Sequence, residues 1–143
     1  MDTLSRIEAE RACERLVMRY ALAVNEWDLD AFVSLFTPDA IWQRPNVPAL
    51  RGHEEIRSFM SGQPSGRTLR HVNGLCMVTV NDDGETAGAI SQTTVYDTAG
   101  HMAVPAPFSG PDMVVEYRDR LVRIEGDWFF AQRDTTVIFS IRA

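Results

Sequence analysis

Apolar positions in the first third of the chain recur at helical spacing. Ser5-Arg-Ile-Glu8 has the Ser-x-x-Glu form of a capping box and predicts a helix start. Ala9, Cys13, Leu16, Val17, Tyr20 and Val24 follow as one stripe. From Met18 to Val24 the segment is apolar on nearly all sides, as expected of a helix end lying across a sheet. Asn25-Glu-Trp-Asp28 breaks this helix. Asp28 can cap a short second one, Leu29 to Phe36, which stops before Pro38. Ala40 to Arg44 reads as a short strand ended by Pro45 and Pro48, and Gly52 to Met60 as a third helix.

From Thr68 onward the period changes to that of strands. Four long ones are predicted, roughly Leu69 to Val80, Glu85 to Tyr96, Met113 to Ile124 and Trp128 to Ile141. Asn81-Asp-Asp-Gly84 and Glu125-Gly-Asp127 are hairpin turns, so the strands they join should pair antiparallel. The remaining connection, Thr98 to Pro111, holds three prolines with Met102, Val104 and Phe108. A loop of that length in a compact domain suggests a lid, a binding loop or a subunit contact. Helices first and a strand meander afterwards predict an α+β fold. A curved antiparallel sheet should wrap around the N-terminal helix, with two further short helices closing a cone.

The 143 residues suit a single domain, 1–143, with a sizeable core. A net charge of -6, with basic residues dispersed, argues against nucleic acid or an anionic membrane as partner. The first ten residues are charged and helix-like, unlike a secretory signal, and no apolar run approaches a membrane span. Cys13 and Cys76 lie far apart in apolar contexts, so reduced thiols and a cytoplasmic protein are expected.

Candidate chemistry centres on His71, which opens an otherwise apolar run with the amide of Asn73 two residues on. Such a pair suits the polar end of an apolar pocket, where a general base would sit. The alternative is a buried histidine bonded to backbone. His53, His71 and His101 show no metal-ligand spacing, and no cofactor is expected. His101, in the Pro-rich loop, could act as a second acid–base group if the loop closes. Gln92 and Thr94 either line the cavity or face water. Asp134 could face the cone or form a surface ion pair.

The stretch from Tyr20 to Trp42 resembles the first signature of the SnoaL-like polyketide-cyclase group, part of the nuclear transport factor 2-like superfamily. Leu50-Arg-Gly-His-Glu-Glu-Ile-Arg57, Arg70-His-Val-Asn73 and Gly126-Asp-Trp128 are similar to further patterns of that group. The resemblance implies a cone-shaped α+β barrel. Among the lyases of this fold, scytalone dehydratase and lindane dehydrochlorinase are similar in layout, and both pair a strand histidine with an aspartate at the end of the first helix. His71 falls on that histidine, and Asn25 falls where the aspartate belongs. An amide can orient the imidazole but lends it no charge.

By this resemblance the chain is expected to be a cofactor-independent lyase of the dehydratase type, acting on a small hydrophobic or aromatic substrate. His71 would be the base, Asn25 its orienting group and Tyr20 a phenol donor to the leaving or carbonyl oxygen. Trp42 would line the pocket, Arg44 could reach an anionic or phenolic group, and Asn73, Gln92 and His101 would contact substrate. Alternatives are an isomerase or polyketide-type cyclase using the same base, or a non-catalytic ligand-binding domain resembling dioxygenase small subunits. A homodimer or homotrimer is expected, because outer-face residues such as Val114 and Val122 would gain from burial.

Overall fold

The computed structural model describes residues 1–98, 100 and 103–141. Helix α1 spans Thr3–Glu26. Asp2, rather than Ser5, is its cap: the Asp2 carboxylate accepts from the Ser5 backbone N–H at 2.8 Å. Ser5 therefore lies inside the first turn, because a carboxylate three residues earlier already satisfies that free N–H. The predicted stripe Ala9, Cys13, Leu16, Val17, Tyr20 and Val24 is wholly buried. The helix ends at Trp27, whose left-handed backbone (φ 56°) turns the chain into α2, Leu29–Ser34, capped by Asp28.

Phe36, expected to end α2, instead opens β1 (Phe36–Gln43), which is longer than anticipated. Pro38 lies in this strand, and the β1–β6 pairing breaks register between Phe36 and Ile41, where a missing proline N–H is tolerated. A two-residue β2 (Leu50–Arg51) pairs with β1 and leads into α3, Gly52–Ser61. Gly52 is required there. Its φ is +76°, and a Cβ would meet the Pro38 carbonyl at 3.0 Å.

The long strands are β3 (Thr68–Val80), β4 (Thr86–Thr98), β5 (Met113–Ile124) and β6 (Asp127–Ser140). They form one sheet with β1 and β2, in the order β2-β1-β6-β5-β4-β3. Among the described residues only the β1–β6 pairing is parallel. Positive φ at both Glu125 and Gly126 makes the β5–β6 connection the tight hairpin expected of that sequence. Register shifts occur between Asn73 and Cys76 and between Arg120 and Leu121, where Ala131 of β6 is the extra residue. These bulges bend the sheet and change which residues face inward. Inward residues of β3 are Leu69, His71 and Asn73 before its bulge, and Cys76, Val78 and Val80 after it. The concave face closes over α1 in a core rich in aromatic rings, with Tyr20 packed against Phe32, Phe36, Trp42, Tyr117 and Phe130.

Both cysteines are free thiols, and Cys13 is completely buried. Among the described residues no helix is long and apolar enough to cross a membrane. Ala106 and Phe108, from the long β4–β5 connection, lie with Arg70, Val72 and Tyr96. Those three residues are on the outer face of the sheet, so this part of the loop packs away from the cone.

Candidate active site

The open end of the cone holds a cavity of about 650 Å³. Its walls come from the end of α1 (Tyr20, Val24, Trp27), from Trp42 and Arg44, from α3 (Phe59, Met60), and from inward residues of β3 to β6. His71, Tyr20, Trp42 and Arg44 all line it, so four of the predicted site residues are brought together.

Asn25, in the last turn of α1, reaches the free edge of β3, the outermost strand of the sheet. Its Oδ1 accepts from the His71 backbone N–H at 2.7 Å and bonds His71 Nδ1 at 3.1 Å. A backbone N–H can only donate, so the Asn25 atom is an oxygen, and Nδ1 must carry a proton to donate to it. That fixes the tautomer. Nε2 is left as the basic nitrogen of a side chain on the cavity wall.

Burial, reinforced by the nearby guanidinium charges of Arg133 and Arg67, pulls the His71 imidazole down to about 4. The ring is therefore neutral at physiological pH. Tyr20 meets it edge-on, with centroids 6.5 Å apart at 82°. Burial raises the Tyr20 phenol well above its ordinary value, and the neighbouring Tyr117 phenol adds to this, so Tyr20 remains a proton donor.

Beneath the cavity floor lies an ion pair that sequence reasoning missed. Arg133 is completely buried and grips Asp119 through Nε–Oδ1 at 2.8 Å and Nη2–Oδ2 at 3.0 Å. Its guanidinium carbon stands 3.8 Å from the centroid of Tyr117 and 4.1 Å from that of Tyr20. Burial opposes the charge on Arg133, but Asp119 lifts its pKa above the ordinary guanidinium value. The available signal was that Tyr117, Asp119 and Leu121 share one strand phase. The Ala131 bulge hid the other half, since it turns Arg133 inward and Asp134 outward. Asp134 accepts from Gln132 and lines a hollow on the outer face with Arg118 and Arg120.

The other expected contacts are placed differently. Gln92 points to the outer face, where it bonds Glu116 at 3.2 Å, because the inward phase of β4 runs through Ala89, Ser91, Thr93 and Val95. Asn73 points inward but does not line the cavity; its Oδ1 accepts from Thr93 Oγ1 at 2.8 Å. His53 is half-buried and bonds the Phe36 carbonyl at 2.7 Å. His101 lies outside the described residues. Among the described residues no three His, Cys, Asp or Glu side chains are grouped to hold a metal ion.

The architecture is shared widely. A candidate scytalone dehydratase from Novosphingobium aromaticivorans superposes with a TM-score of 0.83 at 18% identity, over 99% of this chain and 92% of its own. ActVI-ORFA from Streptomyces coelicolor gives 0.74 at 20% identity, over 90% and 96%. A type 2 hexachlorocyclohexane dehydrochlorinase, LinA, gives 0.78 at 12% identity, over 96% and 90%. At these identities the likeness concerns the fold. No curated protein matched the sequence. The SnoaL-like domain model matches residues 5–134, nearly the whole chain, and the chain therefore belongs to the SnoaL-like family, within the nuclear transport factor 2-like fold.

Proposed function

We propose that this cavity is the active site of a lyase that abstracts a proton from a small hydrophobic, aromatic molecule in a dehydratase-type elimination needing no cofactor. The observation that carries this reading is the pair of hydrogen bonds from His71 to Asn25, which leaves Nε2 as the ring's basic atom. His71 takes the proton, Asn25 holds the ring, and Tyr20 donates to the leaving or carbonyl oxygen. Trp42 and the apolar walls exclude water, which strengthens these few polar contacts. The candidate dehydratase and the dehydrochlorinase among the structural neighbours are compatible with this chemistry.

The low pKa of His71, about 4, favours a second reading. A base this weak suits a carbon already acidified by an adjacent carbonyl, as in an isomerase or polyketide-type cyclase. Whether the product has lost water separates the two. In either case residues 1–143 act as one domain, in the cytoplasm where the two thiols stay reduced. A homodimer or homotrimer belongs to this reading, supported by exposed Ile138, Phe139 and Ile141.

The test begins with mass spectrometry of small molecules that co-purify with the protein. Turnover of the retained molecule and its close analogues is then measured in D₂O. The expected result is turnover with solvent deuterium exchange, reduced at least about a hundredfold in His71→Gln, with the melting temperature nearly unchanged. A variant that keeps its rate removes His71 from the mechanism. A wild type inert toward what it retains favours a non-catalytic ligand-binding domain.

A further inference from the structure

Several residues lining the cavity carry a buried polar atom with no hydrogen-bond partner among the described residues, including Nε1 of Trp42 and Nε of Arg44. Both are N–H groups that can only donate. An unsatisfied buried donor is unfavourable, more so when charged, and native folds hold few of them. Their grouping at one cavity points to an acceptor that the described residues do not supply.

Trp42 and Arg44 stand two residues apart at the end of β1, so their side chains leave the backbone on the same side. The Arg44 guanidinium carbon lies 3.6 Å from the Phe59 ring centroid and 5.5 Å from that of Trp42. These rings position the guanidinium plane but offer no hydrogen-bond acceptor. The other cations near the cavity are neutralised, Arg67 by Asp97 at 3.2 Å and Arg133 by Asp119 at 2.8 Å. Among the described residues the Arg44 side chain has neither an ion pair nor a hydrogen bond.

We propose that the Trp42–Arg44 corner binds the carboxylate of an aromatic acid, whose ring extends along the apolar wall toward His71 and Tyr20. This rests on the cavity being the substrate pocket and narrows the substrate class from small aromatic molecules to aromatic acids. A guanidinium offers a carboxylate two parallel donors, and one already stacked on rings loses little freedom when it binds. Fixing one end of the molecule also holds a chosen C–H near the base.

The experiment compares 1-naphthoate with 1-naphthalenemethanol, the same ring system with and without the charge, by isothermal titration calorimetry at pH 7. Wild type should bind naphthoate about tenfold or more tightly than the alcohol, as expected for a charge-assisted hydrogen-bonded contact. Arg44→Met should abolish that preference and leave the affinity for the alcohol unchanged. Equal affinities in the wild type overturn the carboxylate site even if the variant fails to fold. A preference surviving in folded Arg44→Met overturns it too. Binding of neither probe would sink the aromatic pocket itself, whereas equal binding of both sinks the carboxylate alone.

Discussion

Asn25 Oδ1 receives two hydrogen bonds from His71, one from its backbone at 2.7 Å and one from its ring at 3.1 Å. One amide oxygen thus covers the open edge of the sheet and selects the tautomer of the candidate base. A carboxylate could accept the same two bonds. The geometry of an acid–base dyad is therefore present without its charge.

Asn25→Asp should restore that charge with little rearrangement. A carboxylate this close favours the imidazolium and should raise the His71 pKa by about one to three units. The acid limb of the pH–rate profile should move to higher pH by a similar amount, and the plateau rate should rise with the stronger base. An unmoved acid limb would mean that His71 is not the titrating base.

Stability should carry the mark of the same burial. His71 has a pKa of about 4 in the fold, against 6.5 for the free side chain. Between those values the unfolded chain holds a proton that the folded chain does not, so stability falls as the pH drops from 6.5 and levels off below 4. The full loss amounts to about 3 kcal/mol. In urea denaturation, wild type should lose about 2 kcal/mol more than His71→Gln between pH 7 and pH 5. Equal losses in the two proteins would show that the ring is not desolvated.

Tyr20→Phe tests the phenol. The substitution keeps the ring among Phe32, Trp42, Tyr117 and Phe130 and deletes only the hydroxyl. Turnover should fall about ten- to a hundredfold, the worth of one hydrogen bond to developing charge, while KM changes little. Full activity in Tyr20→Phe would reduce the residue to core packing.

Asp119→Ala should be the most damaging of these changes to the fold. It strands the Arg133 guanidinium, completely buried among aromatic rings, at a cost of about 3–5 kcal/mol. The double variant Asp119→Leu/Arg133→Met removes both charges of the pair and should be clearly more stable than the single one. A single variant within about 1 kcal/mol of wild type would show that water reaches the pair.

Local sequence determined much of this molecule. The stripe from Ala9 to Val24, the Asp28 cap and the turns at Gly84 and Gly126 each depend on neighbours in the chain, whose propensities act over a few residues. The strands from Thr68 onward were legible for the same reason, and His71 and Asn25 could be singled out through the family pattern. What the tertiary structure decided is which way side chains face. A strand side chain changes faces with a shift of one residue, and bulges at Asn73–Cys76 and at Ala131 set that phase through cross-strand pairing, which no local window contains. Gln92, expected to contact substrate, therefore faces out, and Arg133 rather than Asp134 is the residue turned inward. The low pKa of His71 likewise depends first on burial and then on Arg133 and Arg67, charges that only folding brings near the ring.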